Sequence, residues 1–493
     1  MIQYLWNAVF IVLTPLNFGI LLISVFSGLV MGMLPGLSAT MAVALLTGLT
    51  YKLPHSTALI SLVGVYVGAI SGGCQSAILL NIPGTPASAG TALDGFPLAR
   101  KGEGGFAIFL ATTASWLGTT LSILCVMTLT PPLTYFSLKF GVWEFFLLSI
   151  FGIVICGNLT SGGNPLKGWI SGILGLLVAQ IGIDTINAFP RWSYGNVNLM
   201  GSIQLIPVMI GLFGFPEIIN AFRRGGNPIQ SMSTFRIRDG FRAVLKNWIV
   251  VIRSALIGVG VGIIPGVGED VGGWLSYWAS RATSKEPESF GKGNPTGIIS
   301  VETGNNSCIG GAIIPILSLA VPGSAPAAVL MAAFMMHGYR PGPLLMMETP
   351  EFLYQICMYL FFSAFTMWAL GLVLAKLSVR ILGLRKEILM PVVYVLCVLG
   401  SYAINYNMFD IRTMFVFGII GFLMNRMKYP ASPFLLGVIL GPMADSNLRR
   451  ALTITDGSFL PMFKRPISVF FLIVIACLIL SQTVLFKKIK KRG

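Results

Sequence analysis

The segment GVGVGIIPGVGED (258–270) breaks a long apolar helical pattern with a Pro-Gly pair, and GLVMGMLPGLSAT (28–40) does the same half a chain earlier. Each is followed by a second break of the same kind, in LLNIPGTPASA (79–89) and in SLAVPGSAPAA (318–328). Four breaks in two matched pairs indicate that the chain contains two copies of one unit.

The spacing of the prolines supports this duplication. Pro35 and Pro265 are 230 residues apart, whereas Pro83 and Pro322 are 239 residues apart. An insertion within the charged loop RATSKEPESFGKGNP (281–295) of the second copy accounts for the difference of nine. Broken hydrophobic segments at corresponding positions of two halves point to the binding site of a secondary transporter.

The backbone explains why such breaks matter. A helix that is broken inside a membrane leaves N–H and C=O groups unpaired, and these persist only where they are buried in protein or line a cavity. The glycines spaced four apart before each first break also favour close helix packing. Packing alone does not account for a Pro-Gly pair at the end of both glycine series.

The composition places the chain in a lipid bilayer. Apolar residues make up 55% of the 493 residues, charged residues make up 10%, and the mean hydropathy is +0.82. Several apolar runs reach the ~20 residues that a helix needs to cross about 30 Å of hydrocarbon. We predict an all-α integral membrane protein of about 10–12 transmembrane helices, some broken or re-entrant, arranged as two inverted repeats.

The predicted organisation has four parts. They are a first transmembrane repeat (1–222), a basic cytoplasmic linker (223–246), a second transmembrane repeat with additional helices (247–465), and a C-terminal helix with a basic tail (466–493).

The formal net charge of +16 predicts topology rather than nucleic-acid binding, because Lys and Arg lie in loops between apolar runs. By the positive-inside rule the linker 223–246 and the tail 487–492 are cytoplasmic. Residues 1–51 contain no charged side chain, which favours an extracytoplasmic N-terminus. The two repeats would then begin on opposite sides of the membrane, as an inverted repeat requires.

Metal chemistry has little support in the sequence. The seven cysteines form no Cys-x-x-Cys pair, and His55 and His337 are the only histidines. Spacing therefore predicts no transition-metal site, and we interpret the cysteines as small packing residues.

The second break of each copy is the candidate substrate site. A helix that restarts beside Gly84-Thr85 or Gly323-Ser324 presents free N–H groups and the positive end of its dipole, which bind anions. The residues predicted to bind substrate are Asn81, Gly84, Thr85, Ser88, Gly323 and Ser324. The alternative is a capped and kinked helix that binds no ligand.

Polar residues in an apolar region mark the candidate coupling site. VETGNNS (301–307) holds several polar side chains, and acidic Glu269-Asp270 follows the first break of this copy. Such groups are expensive in a membrane and are functional candidates, and their oxygens suit Na⁺ or can carry a proton. The predicted cation-coupling residues are Asp270, Glu302, Asn305 and Asn306. The alternative, which applies also to Asp94 after the loop of the first copy, is pairing with Arg100, Lys101 or Arg281.

Five blocks carry a resemblance to a known family across nearly the whole chain. They are PGLSATMAVALL (35–46), YVGAISGG (66–73), LLNIPGTPASAGTALDGFPLARKGEGG (79–105), FGKGNPTGIISVETGNNSCIGGAIIPILSLAVPGSAPAAVL (290–330) and DGSFLPMFKRPIS (456–468). They resemble the large membrane subunit (TctA type) of the tripartite tricarboxylate transporter family. The resemblance implies a multi-pass permease of the bacterial cytoplasmic (inner) membrane, with a small membrane subunit and an extracytoplasmic solute-binding protein as partners.

Residues and resemblance together predict the permease of a binding-protein-dependent secondary transporter, which imports citrate-like or other carboxylates by Na⁺ or H⁺ symport. We expect no covalent step, no cofactor, and no metal beyond Na⁺ at the coupling residues. One alternative is an integral-membrane enzyme acting on lipid-linked substrates, which would need clustered His, Asp or Glu at a membrane face. A passive channel is a third option, but polar-centred broken helices in both repeats suit alternating access better.

Overall fold

Apolar helices form most of the protein in the computed structural model, which describes residues 2–34, 37–161, 164–184, 186–216, 218–219, 236–382, 386–403 and 405–482. The helices in the first half are α1 (Ile2–Leu13), α2 (Pro15–Met33), α3 (Ala39–Thr50), α4 (His55–Leu80), α5 (Ala89–Leu98), α6 (Gly104–Ser137), α7 (Val142–Thr160), α8 (Pro165–Val178), α9 (Val197–Met200) and α10 (Leu205–Met209). The helices in the second half are α11 (Ile237–Lys246), α12 (Trp248–Ile263), α13 (Gly268–Ala282), α14 (Pro295–Leu319), α15 (Ala325–Met336), α16 (Pro343–Glu348), α17 (Glu351–Leu382), α18 (Lys386–Ala403), α19 (Met408–Arg426), α20 (Ala431–Ile454), α21 (Leu460–Lys464) and α22 (Pro466–Ser481).

Short elements complete the chain. A 3-10 turn at Pro86–Ser88 precedes α5, a second one lies at Pro287–Ser289, and π-helical turns join α5 to α6 and extend α10. The strands β1 (Gly182–Ile183) and β2 (Pro190–Arg191) pair in an antiparallel hairpin after α8.

The predicted all-helical membrane class is confirmed. Within the described ranges, six helical segments are long and apolar enough to cross a bilayer, or seven if α11 and α12, which meet at a bend of 70°, form one span. Seven further apolar helices are 10–17 residues long. The predicted number of about 10–12 spans exceeds the number of full-length helices, because breaks divide several apolar segments into shorter pieces.

Glycine contacts hold the first two long helices of the first copy together. A Cβ atom added at Gly28 or Gly32 of α2 would lie 2.5 or 2.0 Å from the carbonyl oxygens of Val65 and Ala69 in α4. Only glycine allows the two backbones to approach so closely. The stiff α2–α4 pair positions both breaks of this copy.

The second copy repeats these contacts at the offsets that the sequence predicts. A Cβ atom added at Gly258 or Gly262 of α12 would lie 2.1 or 2.7 Å from the carbonyl oxygens of Gly304 and Cys308 in α14. The residues of α12 are offset by 230 from their α2 equivalents, and those of α14 by 239 from their α4 equivalents. The duplication therefore extends to tertiary contacts, whereas the inverted orientation of the copies stays a prediction.

The second break of each copy ends its helix in the same way. Asn81 after α4 has φ 55° and ψ 25°, and Ala320 after α14 has φ 58° and ψ 32°. A residue in the left-handed region ends a helix and turns the chain away from its axis. Alanine adopts this conformation at a steric cost, which shows how strongly the surrounding structure imposes the break.

Several predicted features lie outside the described residues. Pro35-Gly36, most of the basic linker, and the tail from residue 483 onwards belong to this group. The four predicted domain boundaries stay predictions.

Candidate functional site

A cavity of about 580 Å³ lies where the broken helices of the two copies meet. The first copy lines it with Ser38, Ala39, Thr40 and the segment 85–87, and the second with residues 266–267, 269–271 and 324–326. Residues outside the two break regions complete the lining, among them Thr160, Asn425, Lys428 and Tyr429. The two matched breaks, far apart in sequence, therefore form one site.

Helix N-termini face this cavity from both copies. Ser38 caps α3 by accepting a hydrogen bond at Oγ from the amide of Met41 (3.1 Å), and Ser324 caps α15 by accepting from the amide of Ala327 (3.3 Å). Both helix starts carry the partial positive charge of the dipole. The site can therefore attract an anion without a basic side chain at its centre.

A buried carboxylate lies on the second-copy side of the cavity. Glu269, in the first turn of α13, is 3% exposed and accepts hydrogen bonds at Oε1 from the hydroxyls of Tyr66 and Ser324, the latter at 3.0 Å. The Tyr66 and Ser324 oxygens are themselves 3.1 Å apart. This triad, hereafter the Glu269 triad, joins α4 of the first copy to both breaks of the second.

Sequence reasoning missed the role of two members of this triad. Tyr66 lies inside an apolar run and carries no sequence signal of a polar partner. Glu269 is visible in the sequence only as an acidic neighbour of Asp270. Asp270 itself lines the cavity and is exposed to it.

Glu302 lies in a second polar cluster, which is fully buried. Its carboxylate accepts hydrogen bonds from Thr91 at Oε1 and from Ser115 at Oε2 (2.9 Å). Asn306 donates from Nδ2 to Ser115 Oγ (2.8 Å) and accepts at Oδ1 from Ser71 (2.6 Å). The structure thus brings the predicted coupling residues Glu302 and Asn306 together, but does not place Asp270 with them.

Asn305 differs from its neighbour Asn306. Its side chain is fully buried, yet neither Oδ1 nor Nδ2 has a hydrogen-bond partner in the described part of the chain. Thr85 is 2% exposed, and its Oγ1 likewise has no hydrogen-bond partner among the described residues. Buried polar atoms without partners are rare, and each requires an explanation.

The remaining predicted substrate residues lie beside the cavity rather than at its surface. Asn81 is exposed at the end of α4, and Ser88 is buried and donates from Oγ to the carbonyl of Thr85 (2.9 Å). A Cβ atom added at Gly84 or Gly323 would lie 2.0 or 1.9 Å from a glycine carbonyl oxygen of α2 or α12. Both glycines are therefore required for packing, and contact of their amides with substrate stays a prediction.

Asp94 has a structural role. Its Oδ1 accepts hydrogen bonds from the amides of Gly291, Gly293 and Asn294 (2.7–2.9 Å), and its Oδ2 accepts one from the hydroxyl of Tyr277 (3.0 Å). The carboxylate thus fixes the loop before α14. No Lys or Arg of the described chain pairs with it, in contrast to the pairing considered from sequence.

Comparisons with known proteins agree with this architecture. Residues 18–436 match the model of the tripartite tricarboxylate transporter TctA family. The chain is 33% identical over 474 residues to an uncharacterized 52.8 kDa protein in the TAR-I ttuC′ 3′ region of Agrobacterium vitis. The aligned stretch covers 95% of this chain and 94% of that protein. It is also 31% identical over 222 residues to an uncharacterized protein in the TAR-II ttuC′ 3′ region of the same organism, covering 45% of this chain and 92% of that protein.

No solved structure matches the chain with significance. The family match covers more than half of the chain, and the first relative is similar along almost the full length of both proteins. With its apolar helices the chain is a multi-pass membrane protein of a transporter family, and it belongs to the tripartite tricarboxylate transporter TctA family.

Proposed function

We propose that this chain is the permease subunit of a binding-protein-dependent secondary transporter, which imports citrate-like or other carboxylates by Na⁺ or H⁺ symport across the bacterial cytoplasmic membrane. The observation that carries this proposal is the cavity formed by the matched breaks of both copies. Substrate sites of transporters lie between repeats, at discontinuous helices. A substrate moves there without forming a covalent bond.

The chemistry of the cavity suits a carboxylate. The starts of α3 and α15 direct the positive ends of their dipoles towards it, and the hydroxyl-bearing side chains of Ser38 and Thr40 supply further donors. Lys428, the one basic residue among the described lining residues, lies exposed at this surface. It adds a positive charge for an incoming anion.

The two acids of the cavity support coupling to a cation. Glu269 and Asp270 face the space that the anion would enter, and like charges repel strongly in a partly dry site. Binding of a proton or Na⁺ to these acids removes the repulsion, so anion and cation stabilise each other in the cavity. A symported cation also offsets the membrane potential, which opposes an anion by about 2.3 kcal/mol per elementary charge per 100 mV.

Partners follow from the family. A tripartite transporter has three components, and we infer that a small membrane subunit and an extracytoplasmic solute-binding protein work with this chain. The solute-binding protein would deliver the carboxylate to the outer end of the cavity.

Uptake in proteoliposomes tests the proposal. The chain is reconstituted alone and with its two partners, and uptake of labelled citrate and succinate is measured with an imposed Na⁺ gradient, an imposed H⁺ gradient, or neither. We expect accumulation above the external concentration only with a gradient. Downhill equilibration alone would indicate a channel, and chemical conversion of a lipid-linked substrate would indicate an enzyme; either result contradicts the proposal.

A further inference from the structure

The Glu269 triad has a counterpart at the breaks of the first copy, completed by a residue of the second copy, and that counterpart lacks the carboxylate. The offsets of 230 and 239 established by the helix contacts pair Ala39 with Glu269, Tyr66 with Asn305, and Thr85 with Ser324. Thr85 and Ser324 also share an extended backbone before the restarting helix. One triad therefore has acid, phenol and hydroxyl where its counterpart has methyl, carboxamide and hydroxyl.

The hydrogen bonding of the Glu269 triad and of its counterpart differs accordingly. In the second copy the carboxylate of Glu269 accepts from both Tyr66 and Ser324. In the counterpart the corresponding side chains, Asn305 of the second copy and Thr85 of the first, are buried and have no partner among the described residues. Since Ala39 carries no carboxylate, the described residues supply no group that would satisfy them.

Packing contacts place Asn305 and Thr85 in the same region of the protein. Thr85 packs on α4 at Gly73, where an added Cβ atom would lie 2.5 Å from Thr85 Oγ1. Val301 lies one turn before Asn305 on the same face of α14, and a Cβ atom added at Gly273 would lie 3.2 Å from the Val301 side chain and 3.4 Å from the carbonyl oxygen of Ala87. Ala39 and Thr85 both line the cavity, so the cavity borders the position where the missing carboxylate would lie.

We propose that a carboxylate group of the substrate binds in the first copy at the position that the Glu269 carboxylate occupies in the second. Asn305 donates to it from Nδ2 and Thr85 from Oγ1. This assignment rests on the proposed function and deepens it, because it names the side chains that recognise one carboxylate. It also moves Asn305 from the coupling site to the substrate site.

The variant Thr85→Val tests the hydroxyl. Loss of the Thr85 hydroxyl removes no hydrogen bond within the described protein, so thermal stability should be unchanged. Binding of labelled citrate and succinate by the full-length protein should weaken at least tenfold. The matched control is Thr130→Val, which removes another buried hydroxyl without a described partner, outside the cavity lining. Wild-type affinity in Thr85→Val would overturn the assignment.

The variant Ala39→Glu tests the position itself. It places in the first copy the acid that the second copy already has at Glu269, so the protein's own carboxylate should occupy the site. Citrate affinity should then fall about 100-fold or more, and 100-fold corresponds to ~2.7 kcal/mol. Ala39→Gln has nearly the same volume without the charge, and binding should fall less. Equal losses in both variants, or wild-type binding in Ala39→Glu, would overturn the assignment.

Binding measurements on the wild-type protein distinguish failure of this inference from failure of the proposed function. Citrate or succinate binding by wild type together with unchanged binding in Thr85→Val rejects only the assignment of these residues. Failure of wild type to bind or transport any carboxylate, alone or with its partners, rejects the proposed function and the assignment with it.

Discussion

Tyr66 of the first copy donates a hydrogen bond to Glu269 of the second copy, 203 residues further along the chain. Tyr66 is fully buried, and Glu269 is 3% exposed. A buried carboxylate is costly without partners, and this bond together with that from Ser324 provides them. The same contact links α4 to the two breaks that form the cavity, so it serves both the fold and the site.

The first prediction concerns this bond. Tyr66→Phe leaves the Glu269 carboxylate with one donor fewer in a buried place, and we expect it to lower the free energy of unfolding by about 1–3 kcal/mol. Unfolding in mixed detergent micelles measures the effect. The matched control is Tyr359→Phe, which removes another fully buried hydroxyl, one without a partner in the described structure. A Tyr66→Phe variant no less stable than this control would contradict the role given to the bond.

The second prediction concerns the glycines at the second breaks. Gly84→Ala and Gly323→Ala would each place a methyl group about 2 Å from a backbone oxygen, and backbone cannot move aside as a side chain can. We expect each variant to lose about 1–3 kcal/mol of stability. In the control Gly260→Ala nothing lies within 4 Å of the new Cβ, and stability should be unchanged or higher. If Gly84→Ala and Gly323→Ala melt like the control, the close packing is not required.

The sequence predicts much of this architecture because Pro-Gly breaks and glycine spacings are local signals. The offsets of 230 and 239 even predict which helix contacts recur in the second copy. The direction of side chains around a buried helix is harder to predict. Asn305 and Asn306 are neighbours in sequence, but successive residues on a helix point about 100° apart. Asn306 consequently reaches Glu302, whereas Asn305 points elsewhere.

Tyr66 shows a second limit of sequence reasoning. Its helix is buried on every side from Thr57 to Leu80 and has apolar residues all around it, so no periodicity marks a functional face. Its partner Glu269 is on another helix, and only the packing of the two copies brings them together.

The third prediction concerns coupling. Glu302 has hydroxyl and amide partners but no basic partner in the described chain, so its carboxylate can hold a proton or contribute to a Na⁺ site. Glu302→Gln should weaken the dependence of uptake on the ion gradient more than it weakens substrate binding. The exposed Glu288→Gln serves as control. Full gradient-driven accumulation by Glu302→Gln would make its carboxylate a structural group.

Asp270 provides a test of how many cation sites the protein has. It lines the cavity, whereas Glu302 does not. We therefore expect the losses of coupling in Asp270→Asn and Glu302→Gln to combine in the double variant. A double variant that is no worse than either single variant would show that both acids serve one site.

The fourth prediction uses an ion-pair cluster outside the membrane spans. Asp184, beside the β1–β2 hairpin, lies 2.7 Å from Arg449 and 3.1 Å from Arg191. The hydrogen bond from Arg449, with help from the Ile186 amide and Arg191, holds the pKa of Asp184 well below its usual range. A lowered carboxyl pKa contributes stability above the unfolded value of about 3.9, and this contribution is lost as the pH falls below it.

The measurement is the difference in melting temperature between wild type and Asp184→Asn as a function of pH. The variant should melt below wild type at pH 7, and the difference should shrink below about pH 4, where the unfolded wild-type chain takes up a proton at Asp184 that the folded protein does not bind. Asp456→Asn, at an exposed position, should show no such change. A difference that stays constant from pH 7 to pH 3 would contradict the electrostatic origin.

The fifth prediction concerns the orientation of the two copies. Uncharged residues 1–51 and the basic segment 223–246 predict an extracytoplasmic N-terminus with a cytoplasmic linker and C-terminus. In a background without native cysteines, single cysteines at positions 2, 230 and 490 are treated with a membrane-impermeant maleimide on intact spheroplasts. Only position 2 should react, and the other two should react after permeabilisation. Labelling of position 2 only from the cytoplasm would mean that the lack of charge in residues 1–51 does not place the N-terminus outside, and that both copies begin on the same side. Tyr66 and Asn305 would then be equivalent residues of two parallel repeats. The breaks of both copies would face the cavity from one side of the membrane instead of from both.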